Sequence, residues 1–257
     1  MCNFIKVRSS LLHIDQIQKI NDMKTKIFLL SFFLMTLLCI NPLSAEEEER
    51  DVPSFSEISL RVSGQLHLKQ GNGQKVEIVA KSSTLEDIIT EVKDRQLIIR
   101  FPNRNFFFNN FNPGKIDIYI TVPEIDGLYV SGSGDIIAES EIDTRILDLA
   151  VSGSGDIKLG DLNTDRVKAS VSGSGDIVID DGGVADDFSA SISGSGSVKA
   201  EDFEANDVVV HIAGSGSCSV TAEKSLKARI AGSGSVYYNG NPNIDSSVAG
   251  SGRVKKM

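Results

Sequence analysis

Three aspartates recur at nearly equal spacing and are candidate ligands for a cation. Asp135, Asp156 and Asp176 each follow a Gly-Ser-Gly triplet, at intervals of 21 and 20 residues. In stacked turns their carboxylates would form a column with a repeat of about 4.8 Å, and hard cations such as Ca²⁺ bind several oxygens at one point. Later triplets carry Ser197, Ser217, Ser235 and Arg253 at this position. That change of residue type favours solvated turn residues over a metal ladder.

Five phenylalanines lie close together in the segment FPNRNFFFNNF, residues 101–111. Neither helical nor strand periodicity fits this segment, which is followed by Pro113-Gly114. An exposed apolar loop would mark a contact with a partner or a membrane. We favour the alternative, a flap over an open end of the fold that supplies core there. Phe106, Phe107, Phe108 and Phe111 are still the best single candidate for a binding loop.

Groups that could catalyse a reaction are sparse. Beyond residue 45 the only histidines are His67 and His211, 144 residues apart. A serine nucleophile needs a base and an orienting group beside it, whereas the many serines here repeat identically. Cys218 occupies an Ile/Val position of the repeat, which favours burial over reactivity, and no His/Cys cluster has zinc spacing. We therefore predict no catalytic residues, no cofactor and no metal.

An internal repeat determines where these residues lie. Gly-Ser-Gly occurs seven times, at intervals of 18 to 21 residues. Its glycines are Gly132, Gly134, Gly153, Gly155, Gly173, Gly175, Gly194, Gly196, Gly214, Gly216, Gly232, Gly234, Gly250 and Gly252. A corner between strands favours φ values open chiefly to glycine, and stacked corners leave little room for side chains. We interpret these glycines as structural, because a phosphate-binding loop would lead into a helix.

Aligning the seven copies reveals apolar columns. Ile or Val stands two positions before the first glycine, and Ile, Val or Cys stands two positions after the second. Small and polar residues alternate with them, as in a strand with one buried face. A repeat of about 20 residues with two or three short strands is one turn of a β-solenoid, which buries its apolar face only by stacking. The sequence therefore predicts an all-β, right-handed parallel β-helix over residues 128–257.

Residues 46–127 are less regular and are predicted to form an N-terminal β section that closes one end of the coil. Residues 62–68 repeat the spacing around a single glycine, Gly64, as expected of an earlier turn. Gly71-Asn72-Gly73 predicts a hairpin between strands at 66–70 and 75–80. Further strands are expected at 96–101 and 115–122. A short helix is expected over 84–92, with Thr84 as its cap and Asp87 in its first turn.

Residues 1–45 are predicted to be an N-terminal extension and a signal peptide that is removed. Lys24 and Lys26 precede an apolar stretch at 27–40, and Leu43-Ser44-Ala45 forms a small-residue exit. The stretch is shorter than the roughly 20 residues that span a membrane. A retained anchor and lipidation at Cys39 are the alternatives. Residues 1–22 resemble an over-extended start before Met23.

Composition narrows the class of partner. The chain has 257 residues, with 26 basic and 35 acidic side chains and a net charge of −9. This excess of acid argues against a nucleic-acid-binding protein, which needs a basic face. Removal of residues 1–45 would leave Cys218 as the only cysteine, and with it no internal disulfide. The oligomeric state does not follow from composition.

Several motifs together resemble the bacterial head-GIN-domain family, a domain of unknown function that carries the label auto-transporter adhesin. They are Phe55-Ser56-Glu57-Ile58 with Val62-Ser63-Gly64, Ile120-Thr121-Val122-Pro123, the repeated Ser-Gly-Ser-Gly-Asp-Ile, and the segment VYYNGNP at 236–242. The resemblance covers nearly all of the chain after residue 45. It implies a β-helix of the pectin-lyase-like kind, and it supplies no catalytic residues.

The resulting hypothesis is an exported, non-enzymatic adhesin or surface binding protein. A rigid rod with flat faces suits extended ligands, here surface glycans or proteins. One alternative is a periplasmic structural or envelope-stress component. Another, less favoured, is a polysaccharide-active enzyme, because β-helices also host such enzymes and fold does not determine function. The location is therefore expected to be the cell surface, the extracellular space or the periplasm.

Overall fold

The computed structural model of the chain describes residues 45–102, 112–138 and 140–257. Residues 45–257 form one compact unit. The fold is all-β, with 67% strand and 3% helix, and contains a β-solenoid of about six turns. The β-solenoid predicted from the repeat is therefore confirmed. Within the described ranges, no helix is long and apolar enough to cross a membrane.

The described residues of this unit form twenty-one strands and one short helix. In chain order they are β1 (Glu46–Glu49), β2 (Glu57–Arg61), β3 (Gln65–Gln70), β4 (Lys75–Ala80), α1 (Ser82–Asp87), β5 (Ile89–Lys93), β6 (Gln96–Arg100), β7 (Asp117–Val122), β8 (Gly127–Gly132), β9 (Asp135–Ala138), β10 (Ile142–Asp143), β11 (Ile146–Gly153), β12 (Ile157–Leu159), β13 (Leu162–Asn163), β14 (Arg166–Gly173), β15 (Asp176–Ile179), β16 (Gly183–Gly194), β17 (Ser197–Gly214), β18 (Ser217–Gly232), β19 (Ser235–Asn239), β20 (Asn243–Gly250) and β21 (Arg253–Lys256).

Two long ladders of strands run along the coil. Sheet 1 has the order β1-β4-β7-β3-β9-β12-β15-β17-β18-β19-β21. Sheet 2 has the order β5-β6-β2-β8-β11-β14-β16-β17-β18-β20. A short third side pairs β10, β13 and the start of β16. The long strands β17 and β18 bend through corners, so they contribute to both sheets.

The apolar columns predicted from the repeat form the core. Every side chain in the column from Ile136 through Ile157, Ile177, Val198 and Cys218 to Val236 is fully buried. Each such side chain lies on its counterpart in the next turn, which removes it from water. Burying one Ile or Val side chain in this way stabilises the fold by about 1.5–3 kcal/mol.

The last turn departs from the expected burial. Ile244 and Val248 keep 47% and 40% of their surface exposed, since only one face of this turn is covered within the described chain.

The φ angle constrains the first glycine of each Gly-Ser-Gly corner, and lack of space constrains nearly all of the corner glycines. The first glycine of every copy has a φ between +116° and +129°, a region that residues with a Cβ rarely adopt. Its carbonyl accepts hydrogen bonds from the next turn, as Gly132 O does from Ser154 N at 2.8 Å and Gly155 N at 3.1 Å. Space limits both glycines of the second corner, because a Cβ on Gly153 would lie 2.2 Å from the carbonyl oxygen of Gly132 and a Cβ on Gly155 1.9 Å from that of Gly134.

The N-terminal section corrects one predicted pairing. β2 and β3 do form an earlier turn, parallel to β8 and β9. The hairpin predicted around Gly71-Asn72-Gly73 is wrong, however, because β7 lies between the two strands. Ile118 of β7 pairs with Leu66 of β3 on one side and with Ile78 of β4 on the other. The apolar alternation of β7 buries a row against both neighbours, and this outweighs the local preference of the turn.

The predicted helix is also shorter and differently bounded. It ends at Asp87, and its N-cap is Lys81, which makes no side-chain capping bond. Thr84 lies inside the helix, where its Oγ1 donates to the carbonyl of Pro113 at 2.8 Å. The rest of the predicted helix is β5, antiparallel to β6, because the Ile-Thr-Glu-Val alternation suits a strand. Buried Leu85 of α1 packs on the core at this end of the coil.

Candidate functional site

The aspartate column on sheet 1 forms hydrogen bonds with the backbone of successive turns. Oδ1 of Asp135 accepts the N–H of Asp156 at 3.0 Å, Oδ1 of Asp156 accepts that of Asp176 at 2.9 Å, and Oδ1 of Asp176 accepts that of Ser197 at 2.9 Å. Each carboxylate thus satisfies a donor of the following turn. Asp176 also pairs with the ammonium group of Lys199 at 2.8 Å. In the part of the chain that the structure describes, no cluster of His, Cys, Asp or Glu could hold a metal ion.

Cys218 lies in the core, as its place in the repeat predicted. Its side chain is fully buried. Burial raises the pKa of the Cys218 thiol to about 12, so the nucleophilic thiolate is scarce at neutral pH.

An aromatic pair on the outer face of sheet 1 is the most distinctive surface feature. The rings of His67 and Tyr119 stack with centroids 5.0 Å apart and an interplanar angle of 13°. Tyr119 is 44% exposed, although it is a large aromatic side chain. We call His67 and Tyr119 the aromatic platform.

Strand pairing alone brings the two rings together. His67 stands between buried leucines in β3, and Tyr119 stands between buried isoleucines in β7. Alternate residues of a strand point to opposite faces, so both rings point outward. Because β3 and β7 pair directly, His67 lies opposite Tyr119.

A shallow depression of about 320 Å³ adjoins the platform and is lined by His67, Leu68, Lys69, Ile137 and Ser140. The Ser140 hydroxyl oxygen is buried and has no hydrogen-bond partner among the described residues.

On the other side of Tyr119, Glu77 of β4 is its cross-strand neighbour and forms an ion pair with Lys75. The pKa of Glu77 is lowered by its hydrogen bond with Lys75, so the carboxylate stays ionised at neutral pH. The stacked rings, a cation and a carboxylate therefore border one exposed surface.

Sheet 2 carries a second outer face, which is rich in hydroxyl groups. Its outward positions next to the corners are Ser131, Ser152, Ser172 and Ser193, followed by Ala213, Ala231 and Ala249. Tyr129 lies at one end of the face, and burial together with nearby Glu57 and Asp148 raises its pKa to about 12. Near the other end, His211 and Arg229 border a depression of about 310 Å³. Arg229 is held by Asp245 at 2.6 Å.

The structure places the candidates from sequence as follows. His67 and His211 lie on different sheets, so they do not form a shared site. Phe106, Phe107, Phe108 and Phe111 fall outside the described residues. Sequence reasoning missed Tyr119. The alternation in Ile118-Tyr119-Ile120 signals an outward ring, but its neighbour depends on the strand order that the predicted hairpin had wrong.

Comparison with solved structures shows where this architecture recurs. A structure described as a "putative adhesin" from Bacteroides fragilis NCTC 9343 superposes with a TM-score of 0.76 and 25% identity, covering 82% of this chain and 96% of that one. A "putative lipid binding protein" from Parabacteroides distasonis ATCC 8503 gives 0.68 and 27%, covering 84% and 98%. A "putative adhesin" from Parabacteroides merdae ATCC 43184 shares the fold at 0.64 and 21%, covering 84% and 97%.

Sequence comparison leads to the same group. No functionally curated protein matches the chain. The family described as "Putative auto-transporter adhesin, head GIN domain" matches residues 54–242, well over half of the chain. The match includes β2 to β19, the first six Gly-Ser-Gly corners and the platform, and it confirms the resemblance found in the sequence. The chain therefore belongs to the head GIN domain family.

Proposed function

We propose that this protein is an exported, non-enzymatic binding protein that presents the aromatic platform to a surface glycan. The family and its solved neighbours are described as adhesins or binding proteins, which supports binding of something external. The predicted signal peptide supports export. We choose a glycan as the ligand because His67 and Tyr119 form an exposed aromatic stack.

The chemistry around the platform suits a saccharide. A sugar ring has an apolar C–H face that packs on a flat aromatic ring, and hydroxyls on its rim that need polar partners. The ammonium of Lys69 can donate hydrogen bonds to such hydroxyls, and the carboxylate of Glu77 can accept them. These groups lie on the strands that hold the rings or next to them.

Rigidity also favours binding at this surface. His67 and Tyr119 are held by paired strands, and the leucines and isoleucines that flank them are buried in the core. Little conformational entropy is lost when such groups contact a ligand. A flat, preformed surface therefore suits weak contacts that repeat along an extended polymer, because each contact costs little conformational entropy.

Binding is tested with the exported protein on a panel of bacterial and host-surface glycans. We expect Tyr119→Ala to weaken binding of the captured glycan at least about tenfold, because it removes the stacking surface. Tyr237→Ala is the matched control, since Tyr237 lies in the same outward column of sheet 1 near the other end. Equal loss in both variants, or full binding by Tyr119→Ala at unchanged thermal stability, would contradict the assignment of the platform.

The cellular location has its own test. Antibody labelling of intact cells should detect a surface adhesin, whereas labelling only after permeabilisation would favour the periplasmic alternative. Release of unsaturated uronate products from a polysaccharide panel would favour the enzyme alternative instead.

A further inference from the structure

The two edges of sheet 1 carry opposite charges. At one edge lies β1, whose sequence is Glu-Glu-Glu-Glu, and at the other lies β21, whose sequence is Arg-Val-Lys-Lys. Within the described residues β1 pairs only with β4 and β21 only with β19. We call these the acidic edge (Glu46–Glu49) and the basic edge (Arg253–Lys256).

The direction of both edge strands allows them to pair. β1 is antiparallel to β4, and β4 is antiparallel to β7, so β1 runs parallel to β7. All strands from β7 to β21 in sheet 1 are parallel to one another. A second copy displaced along the coil would therefore bring β1 beside β21 as one more parallel pair.

The register is complementary residue by residue. One outward column begins at Glu49 and ends at Lys255. Its intermediate members are Glu77, Tyr119, His67, Ile137, Lys158, Val178, Lys199, Ser219 and Tyr237. Glu47 lies two positions before Glu49, and Arg253 lies two positions before Lys255. Because the two edge strands are parallel, Glu47 therefore aligns with Arg253 when Glu49 aligns with Lys255. Glu47, Glu49, Arg253 and Lys255 are all exposed.

We propose that copies of this chain associate end to end, with β21 of one copy pairing in parallel with β1 of the next. In this arrangement Glu47 faces Arg253 of the neighbouring copy, and Glu49 faces its Lys255. Cross-strand pairs of opposite charge stabilise a sheet, and the unpaired backbone groups of both edges gain partners.

Sheet 2 also ends in opposite charges, although its edge strands β5 and β20 run antiparallel to each other because β5 is antiparallel to β6. Its outward column that starts at Lys93 in β5 ends at Asp245 in β20. The core is also asymmetric. Helix α1 packs on it near the acidic edge, whereas Ile244 and Val248 are exposed in the last turn. End-to-end stacking would bring a second copy over these two apolar side chains.

The charges of the two edges also determine how two copies can be oriented relative to each other. Charged edge strands commonly prevent aggregation, because two like edges repel. Here both same-edge pairings bring like charges together, and only the pairing of acidic with basic edges is attractive. Such a contact joins different surfaces and does not close on itself, so it generates a linear chain of copies. An edge of four residues is small compared with a stable interface, so the association is expected to be weak and concentration-dependent.

The test uses the exported protein in sedimentation velocity and small-angle scattering at increasing concentration. We expect particles that lengthen without thickening, and at least a tenfold weakening of association on raising salt from about 0.05 to 0.5 M, because the exposed charges are screened. Glu47→Lys/Glu49→Lys and Arg253→Glu/Lys255→Glu should each abolish growth. A mixture of these two variants should restore it, since every junction is then complementary again.

A matched control is Glu204→Lys/Glu223→Lys, which changes net charge equally at exposed positions of β17 and β18 away from both edges. It should assemble like the parent protein, and thermal melts should show all variants folded. A monomer at all concentrations would overturn the proposal. Failure of the mixture to assemble would also overturn it. Growth that survives both charge reversals would do the same, and it would indicate apolar pairing of two last turns through Ile244 and Val248 instead.

Discussion

Oδ1 of Asp156 accepts the backbone N–H of Asp176 at 2.9 Å, across two successive turns of the coil. Asp156 in turn donates its own N–H to Oδ1 of Asp135. A side chain therefore accepts the N–H that follows the second, third and fourth Gly-Ser-Gly triplets. After the later triplets a glycine carbonyl of the preceding turn takes this role, as Gly196 O does for Ser217 N. The sequence pattern that suggested a cation column is explained by this backbone role.

Replacing Asp156 with alanine should leave the N–H of Asp176 without this acceptor. We expect the free energy of unfolding to fall by about 1–2 kcal/mol, as for loss of a charge-assisted hydrogen bond. Asp156→Asn keeps an acceptor oxygen and is the control, which should retain most of the stability. Urea unfolding measures both. Equal losses in the two variants would show that the charge, rather than the hydrogen bond, matters.

Gly132, the first glycine of the first corner, and Gly155, the second glycine of the next corner, should differ in their tolerance of alanine. Gly155→Ala places a Cβ against the backbone carbonyl of Gly134, which cannot move without disrupting the ladder, so we expect a loss of more than about 3 kcal/mol. Gly132 has a φ of +116° but open space around it, so Gly132→Ala should cost about 1–3 kcal/mol from backbone strain. Thermal melts rank the two. A milder effect at Gly155 would contradict the steric explanation.

Cys218 should behave as an apolar core residue. Cys218→Val fits the Ile/Val column and should change stability by less than about 1.5 kcal/mol. Cys218→Ser buries a hydroxyl and should cost about 1–3 kcal/mol. Since the fold raises the thiol pKa to about 12, alkylation of the native protein at pH 8 should proceed only through unfolding. Rapid labelling, followed by mass spectrometry of the Cys218 peptide, would disprove this.

The ion pair of Arg229 with Asp245 should make stability depend on pH. The hydrogen bond from Arg229 lowers the pKa of the Asp245 carboxyl below its ordinary value of 3.8. A lowered folded-state pKa contributes stability above the unfolded-state value and loses it as pH falls through the folded-state value. Thermal melts from pH 6 to pH 2 should therefore show a smaller acid loss for Arg229→Gln than for the parent. Lys168→Gln, which removes a positive charge from the same face, should retain the parent's pH dependence.

The role of the phenylalanine segment at 101–111 as a flap is a prediction that stability measurements can test. If Phe106, Phe107 and Phe108 form a flap that supplies core, replacing all three with serine should lower the melting temperature markedly. Binding to the captured glycan should then fall only in proportion to unfolding. Lost binding in a variant of unchanged melting temperature would identify a binding loop instead.

Local patterning determined the repeating part of this fold. The spacing of Gly-Ser-Gly and the Ile/Val columns predicted the parallel coil because each turn contacts only its neighbours, so one repeat specifies the next. The position of Cys218 in the core followed from the same rule. The column from Ile136 to Val236 is buried as that spacing predicts.

Tertiary structure alone decided the pairings of the irregular section and the surfaces that depend on them. Nothing local in Gly71-Asn72-Gly73 indicates that β7 enters between β3 and β4, because that choice depends on burying Ile118 against two distant strands. The stack of His67 on Tyr119 exists only through this order. The alignment of Glu49 with Lys255 likewise emerges only when every turn between them is in register. Short-range periodicity therefore specifies which residues face outward, whereas long-range strand pairing determines which of them meet.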